Sequence, residues 1–295
     1  MKTPMWWAVA IIVSIALIAI LKSKERPYTP EPLPPSAAPT GDETAQFQAA
    51  RARMEALLAN ARRVGFDPQV EARDTQDPVS KFGGAPWMHE GETWPRCKGC
   101  KNPLSFFVQL DVASLPEELG AGGSGLIQFF QCTDPELETD ECMESWTGGP
   151  AAVNVRLVDT STKGATLAIP DGHEAFPSRV ITGWTSFDDY PGYEDMLDVK
   201  LTEDLDEDEF EKLDELSSNL DGPGLCRDHD KLGGWPYWVQ GAEWKTCPTC
   251  QKQMQLILQL DSEDNVPHMF GDAGIGHILQ CPDHPEQLSW GWACY

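Results

Sequence analysis

Nine cysteines punctuate this 295-residue chain, at positions 97, 100, 132, 142, 226, 247, 250, 281 and 294. Cys97 and Cys100 form one C-x-x-C pair, Cys247 and Cys250 a second, and each pair is followed by a third cysteine, Cys132 or Cys281. A C-x-x-C turn sets two thiolates on one side of a knuckle, and zinc needs four such ligands in a tetrahedron. The spacing predicts one site from Cys97, Cys100, Cys132 and Cys142, and another from Cys247, Cys250 and Cys281. His284, in "CPDH", is the preferred fourth ligand of the second set, with Cys294 the alternative and Cys226 left over as an ordinary thiol. Four protein ligands close a site, whereas a catalytic zinc keeps one position open, so the expected cofactor is structural zinc. Disulfides and unliganded thiols are the competing readings. A C-x-x-C is a poor structural disulfide, and a thioredoxin-like pair would follow a strand and open a helix; here each pair precedes its strand.

The knuckles sit in a repeated sentence. "KFGGAPWMHEGETWPRCKGC" runs from Lys81 to Cys100 and "KLGGWPYWVQGAEWKTCPTC" from Lys231 to Cys250, with "QLD" recurring at Gln109–Asp111 and Gln259–Asp261. Two copies imply an internal duplication rather than a solenoid, which needs three or more repeats. The Gly-Gly pair followed by proline reads as a tight turn needing positive φ or close backbone approach. Trp94 and Trp244 read as core anchors before ligand platforms.

Other chemistry is weaker. No nucleophile elbow, Walker loop, dinucleotide fingerprint or H-E-x-x-H occurs. His268 and His277 flank the glycine-rich "MFGDAGIG", which with Asp272, Asp261 and Asp264 gives the alternative reading, a metal-dependent hydrolase with a pocket at this loop. Asp228, His229 and Asp230 form a second loose cluster. The formal charge of -25 argues against nucleic-acid binding and suits a basic protein partner. Carbohydrate binding on some of the eleven tryptophans ranks last.

Stepping outward along the chain, "MWWAVAIIVSIALIAIL" (Met5 to Leu21) is uncharged, and at ~1.5 Å per residue it spans roughly 25 Å, near the lower limit for a bilayer. Residues 1–25 are therefore expected to form a retained membrane anchor. Lys22, Lys24 and Arg26 after it point the body to the cytoplasm, a single-pass cell-membrane topology. Residues 26–41 are a proline-rich spacer and residues 42–66 carry the apolar stripe of a surface helix. "DVKLTEDLDEDEFEKLDELSSNL" (Asp198 to Leu220) is an acidic, solvated stretch.

From residue 77 onward, short apolar runs broken by Gly and Pro read as strands: "LSFFVQLDV", "GLIQFFQC", "AVNVRLVD", "SRVITGWTSF", "MQLILQLD" and "GHILQC". The fold class expected is α+β, β-rich and largely antiparallel, with two related units (77–150 and 227–295) behind one transmembrane helix. With "SKFGGAPWMHEGETWPRC", "DKLGGWPYWVQGAEWKTCPTC" and the closing block that ends "GWACY", the chain from about Asp77 on resembles the YwqG-like family of uncharacterised bacterial proteins. That resemblance implies an α+β fold with extensive antiparallel sheet and a duplication, and supplies no activity. The function expected is a membrane-anchored, zinc-stabilised protein-interaction module.

Overall fold

The apolar runs do become strands, and four of them bury nearly every residue rather than alternate ones. "SFFVQLD" (β4, Ser105–Asp111) and "QLILQLD" (β10, Gln255–Asp261) are covered on both faces, as are "LIQFFQ" (β5, Leu126–Gln131) and "IGHILQ" (β11, Ile275–Gln280). A computed structural model describes residues 45, 48, 49, 52, 56, 59–134, 139–165, 167–192, 194–195 and 226–295. The remaining long strands are β1 (Arg63–Ala72), β6 (Val153–Val158), β8 (Arg179–Asp189) and β12 (Leu288–Ala293). Short strands β2 (Lys81–Phe82) and β9 (Lys231–Gly233) open the two copies of the repeat, and β3 (Met88–His89) pairs with β7 (Gly164–Ala165) as a side ribbon.

Ten strands form one antiparallel sheet in the order β12-β11-β10-β9-β1-β8-β2-β4-β5-β6. The order is two-fold symmetric about the β1–β8 pair: β9 to β12 on one side answer β2, β4, β5 and β6 on the other. Chain order crosses this axis. β1 precedes β2 yet lies beside β9, and β8 precedes β9 yet lies beside β2, so the halves exchange their first strands. The two end strands, β12 and β6, lie against one another, so the sheet curls towards a barrel. Phe82, Phe107, Phe129, Leu232, Leu258, Ile278 and Trp290 fill its interior, with the Phe129 and Trp290 rings 4.0 Å apart between the halves.

The duplication is visible in detail. Both Gly-Gly turns have positive φ, 56° and 68° at Gly83 and Gly84, 59° and 69° at Gly233 and Gly234. A Cβ on Gly83 would stand 2.3 Å from the Pro177 carbonyl oxygen, so the backbone approach alone demands glycine. Gln109 donates to the carbonyls of Asp77 and Val79 and accepts from Trp87 N–H; Gln259 donates to Arg227 and His229 and accepts from Tyr237 N–H. This is why "QLD" recurs: each buried amide satisfies three loop groups that have no ladder partner.

The expected fold class needs correction. In place of an α+β pair of packed units behind a transmembrane helix, the described residues form a β-rich, barrel-like antiparallel sheet with one bounded α-helix, α1 (Asp140–Thr147). Shared strands on a single ladder replace the packing of separate units. The single-pass membrane topology is likewise corrected, since among the described residues no helix is long and apolar enough to cross a membrane. Residues 1–25, the spacer 26–41 and the acidic stretch from Asp198 lie outside the described residues. Of the surface helix expected over 42–66, Ala45, Gln48, Ala49, Ala52 and Ala56 are helical and exposed, but the chain has left the helix by Arg63, where β1 starts. The stripe misled there because its last member, Val64, is apolar for β1, which packs it on the core beside buried Phe66.

Candidate metal centres

Each C-x-x-C turn is a small hairpin with the same backbone bonds. Cys97 N–H donates to Asn102 O (3.0 Å), Lys101 N–H to Cys97 O (3.1 Å) and Leu104 N–H to Pro95 O (2.9 Å). In the second copy Cys247 N–H donates to Lys252 O (2.8 Å), Gln251 N–H to Cys247 O (2.9 Å) and Met254 N–H to Lys245 O (2.9 Å). Lys101 and Gln251 both turn through left-handed φ, 65° and 61°. Cys132 and Cys281 stand at the ends of β5 and β11, where the ladder stops and the side chain meets the knuckle.

The fourth ligands come from different structures. Cys142 lies in the first turn of α1, whose N-cap Thr139 accepts a bond from Cys142 N–H and whose C-cap Gly148 has φ 74°. Gly99 stays bare because a Cβ would fall 2.2 Å from Thr139 Oγ1 and 2.7 Å from Cys142 Sγ, so its absence lets α1 dock. His284 arrives instead from a turn three residues past Cys281, closed by Gln287 N–H donating to His284 O (2.8 Å).

Within each set the donor atoms all lie within 4.8 Å of one another: Cys97, Cys100, Cys132 and Cys142, then Cys247, Cys250, Cys281 and His284. Cys97 and Cys142 sulfurs are 3.6 Å apart, Cys100 and Cys132 3.8 Å, and Cys250 and Cys281 3.6 Å. His284 Nδ1 is 3.7 Å from Cys247 Sγ and 3.6 Å from Cys281 Sγ. Zn–S bonds of ~2.3 Å and Zn–N bonds of ~2.0 Å give tetrahedral edges of roughly 3.8 Å and 3.6 Å, the spacing found. A disulfide would bring two sulfurs to ~2.05 Å, and all nine cysteines are free thiols.

Electrostatics point the same way. Burial pushes Cys100 up to about 11, with the neighbouring Cys97 and Cys142 adding to it, and pushes Cys132 up as well. Thiols crowded on one point resist ionising together unless a cation joins them. Cys247 is held down to about 6: burial opposes ionisation, but the N–H groups of Cys250 and Thr249 together with the Cys281 and Cys250 thiols outweigh it. Both sets can hold a metal ion. Cys294 is in neither; its sulfur sits against Gly271, and His284 is the fourth member of the second group. Cys226 donates to the carbonyls of Trp235 and Pro236 (3.4 Å each), and burial raises it to about 12.

The glycine-rich loop does not assemble a pocket between its histidines. His268 packs inside the barrel on Phe107 and Phe270, with ring centroids at 5.0 and 4.8 Å, while His277 sits on β11 next to the inward Ile278 and so faces the other side, against Trp238 at 4.5 Å. Burial lowers His268 to about 4 and His277 to about 3, leaving both neutral. The Asp228–Asp230 cluster is a brace. Asp230, 1% exposed, accepts from Asp261 N–H (2.7 Å) and Asn265 Nδ2 (2.9 Å), and His229 Nε2 meets Asp67 Oδ1 at 2.7 Å.

Trp94 is a core anchor, 6% exposed with its indole N–H on Leu104 O (2.8 Å). Trp244 instead shares the Asp195 carboxylate with Trp238, at 2.6 and 2.9 Å. Asp195 carries no repeat signal in the sequence, and neither it nor α1 was among the expected features. The pattern Thr139-Asp140-Glu141 before Cys142, closed by Gly148, was the available cue for α1.

Comparison with known proteins agrees with a family whose activity is not established. A 52-residue stretch is 38% identical to the Uncharacterized protein YpfL of Salmonella typhimurium, covering 18% of this chain and 12% of that relative's length. A family model matches residues 80–284, which enclose every member of both ligand sets from Cys97 to His284. On that match, spanning more than half of its length, the chain belongs to the family described as Domain of unknown function (DUF1963).

Proposed function

We propose that this protein is a binding scaffold whose curled sheet is stapled by two structural zinc ions, and that its acidic surface engages a basic protein partner. The pair of closed four-donor sets with tetrahedral edges carries the reading. Thiolate-rich donor sets favour zinc over harder ions, and each set offers four protein ligands with no position kept for substrate. Each ion would tie a knuckle to the far end of the strand pair behind it, in a place where Leu104, Phe106 and Phe130 or Met254, Leu256 and Leu279 supply only a small apolar cluster. The net charge of -25 supports the basic partner. Within the family, the motifs from Lys81 to Cys100 and Lys231 to Cys250 favour placement with the YwqG-like proteins. Capture of interacting proteins at low and high salt tests the partner reading: a salt-released basic protein supports it, and capture unaffected by salt, or none, removes it.

A further inference from the structure

Among the described residues, six large apolar side chains are well exposed: Val70, Met143, Trp146, Ile169, Met269 and Tyr295. Four of them gather about Trp292 on β12. The Trp146 ring, half exposed, meets Trp292 edge-on with centroids 5.7 Å apart, and Trp292 Nε1 donates to Ser145 O (2.8 Å), which holds α1 against β12. Met143 lies one turn before Trp146 on the same flank of α1. Met269 precedes Phe270 and Gly271, which both touch Trp292: the Phe270 ring at 5.9 Å, and Gly271 so closely that a Cβ there would stand 2.9 Å from the indole. Tyr295 N–H donates to Asp272 O (3.2 Å) in that loop. Lone apolar side chains are ordinary on a protein surface, whereas a gathered set marks a contact face.

The charge around this face has one sign. Residues 102–155 and 253–295, which supply α1, the glycine-rich loop and β12, hold nine and six Asp or Glu respectively and no Lys or Arg. Asp140 and Glu141 are exposed in the first turn of α1, and Asp272 is exposed in the loop. A carboxylate rim beside an open indole face favours a cation twice over, by charge and by the ring quadrupole. Tryptophan supplies a large anchor at an interface, and methionine, unbranched and soft, adapts to apolar groups of varied shape.

We propose that the Met143–Trp146 flank of α1, backed by Trp292 and bordered by the Met269–Asp272 loop, is the surface on which the basic partner docks. The partner's docking element is an amphipathic basic segment: its apolar side chains cover Trp146 and Met143, and its Lys and Arg side chains meet the carboxylates of Asp140, Glu141 and Asp272. This placement rests on the basic-partner reading and is independent of the metal ions.

The test titrates the full chain with a synthetic helical peptide of leucine and lysine, leucine on one face, read by calorimetry and by the indole N–H NMR signals of Trp146 and Trp292. Both signals are expected to move, and Trp146→Ser is expected to weaken binding about tenfold or more and Met143→Ser about threefold. Val70→Ser and Ile169→Ser, exposed apolar positions outside the face, are expected to stay within about twofold. Asp272→Lys leaves α1 untouched and is expected to weaken binding about threefold, against less than about twofold for Glu71→Lys, the same charge change on exposed β1. Binding equal in Trp146→Ser, Met143→Ser and Asp272→Lys overturns the placement and leaves the basic-partner reading standing. A leucine and serine peptide that binds as tightly through Trp146 removes the basic partner and this assignment with it. No peptide binding overturns the placement, whatever is captured at low salt. Binding to phosphatidylcholine vesicles, or self-association, that is lost in Trp146→Ser and comes without peptide binding gives the face to a lipid surface or a second copy and likewise overturns it.

Discussion

Lys231 Nζ lies 2.9 Å from Asp189 Oδ2, and neither side chain is exposed at all. The same oxygen accepts the Trp235 N–H at 2.8 Å, and Asp189 Oδ1 accepts that of Arg227 at 3.3 Å. One carboxylate at the end of β8 thus fixes the lysine, the loop before β9 and the turn after it. Gly234 must be glycine here, since a Cβ would stand 2.2 Å from Asp189 Oδ2.

Breaking this pair one-sidedly strands a buried charge, which costs about 3–5 kcal/mol. Asp189→Ala is expected to destabilise the metal-loaded protein by that amount in urea unfolding. The double change Asp189→Leu with Lys231→Met is expected to recover most of it. A double variant no more stable than Asp189→Ala would show that the N–H bonds to Asp189 matter more than the ion pair.

The counterpart lysine has no carboxylate on it. Lys81 is fully buried and donates to the carbonyls of Thr75 and Ala85, and burial lowers it to about 8 from an ordinary 10.5, with Asp74 and Asp77 opposing. Between those values the unfolded chain holds the proton and the folded chain does not, so stability from this group rises with pH. Relative to Lys81→Met, the native protein is expected to gain about 2 kcal/mol between pH 7 and pH 10. Parallel unfolding curves across that range would contradict the assignment.

Gly99 and Thr139 hold α1 against the first knuckle, and among the described residues nothing corresponding stands at the second. Gly99→Ala is expected to push Cys142 away and to weaken one of two metal sites, leaving the other loaded. Thr139→Ala removes the N-cap at a cost of about 1 kcal/mol and is expected to hasten metal loss from the same site. Competition with a chromophoric chelator resolves the two sites. Loss of both metals from Gly99→Ala would show that the halves are coupled through the shared sheet.

The two donor groups were legible because cysteine chemistry is local: two C-x-x-C knuckles and a third cysteine a strand-pair later bring together side chains that could hold a metal ion. The choice of His284 over Cys294 followed from its closeness to Cys281, and the structure places Cys294 at Gly271 instead. The strands of the repeat were equally legible, since "LSFFVQLDV" and "MQLILQLD" are buried on both faces. The exchange of β1 and β8 was not. "RVGFDPQVEA" carries Gly65 and Pro68 and little alternation, and β9 pairs only with Gly65 and Phe66, an edge setting that tolerates the proline. Pairing across some 116 residues leaves no local trace, so the chain read as two neighbouring units when its sheet is one.

Zinc per chain, measured in protein purified without added metal together with thiol reactivity before and after chelation, decides whether the sheet is stapled by metal. Two donor sets call for about two zinc ions, with the seven cysteines of those sets shielded until chelator is added and Cys294 free throughout. Cys142→Ser is expected to reduce the count to about one. Metal-free protein that stays folded, with those cysteines reactive from the outset or joined in disulfides, would rule out zinc staples.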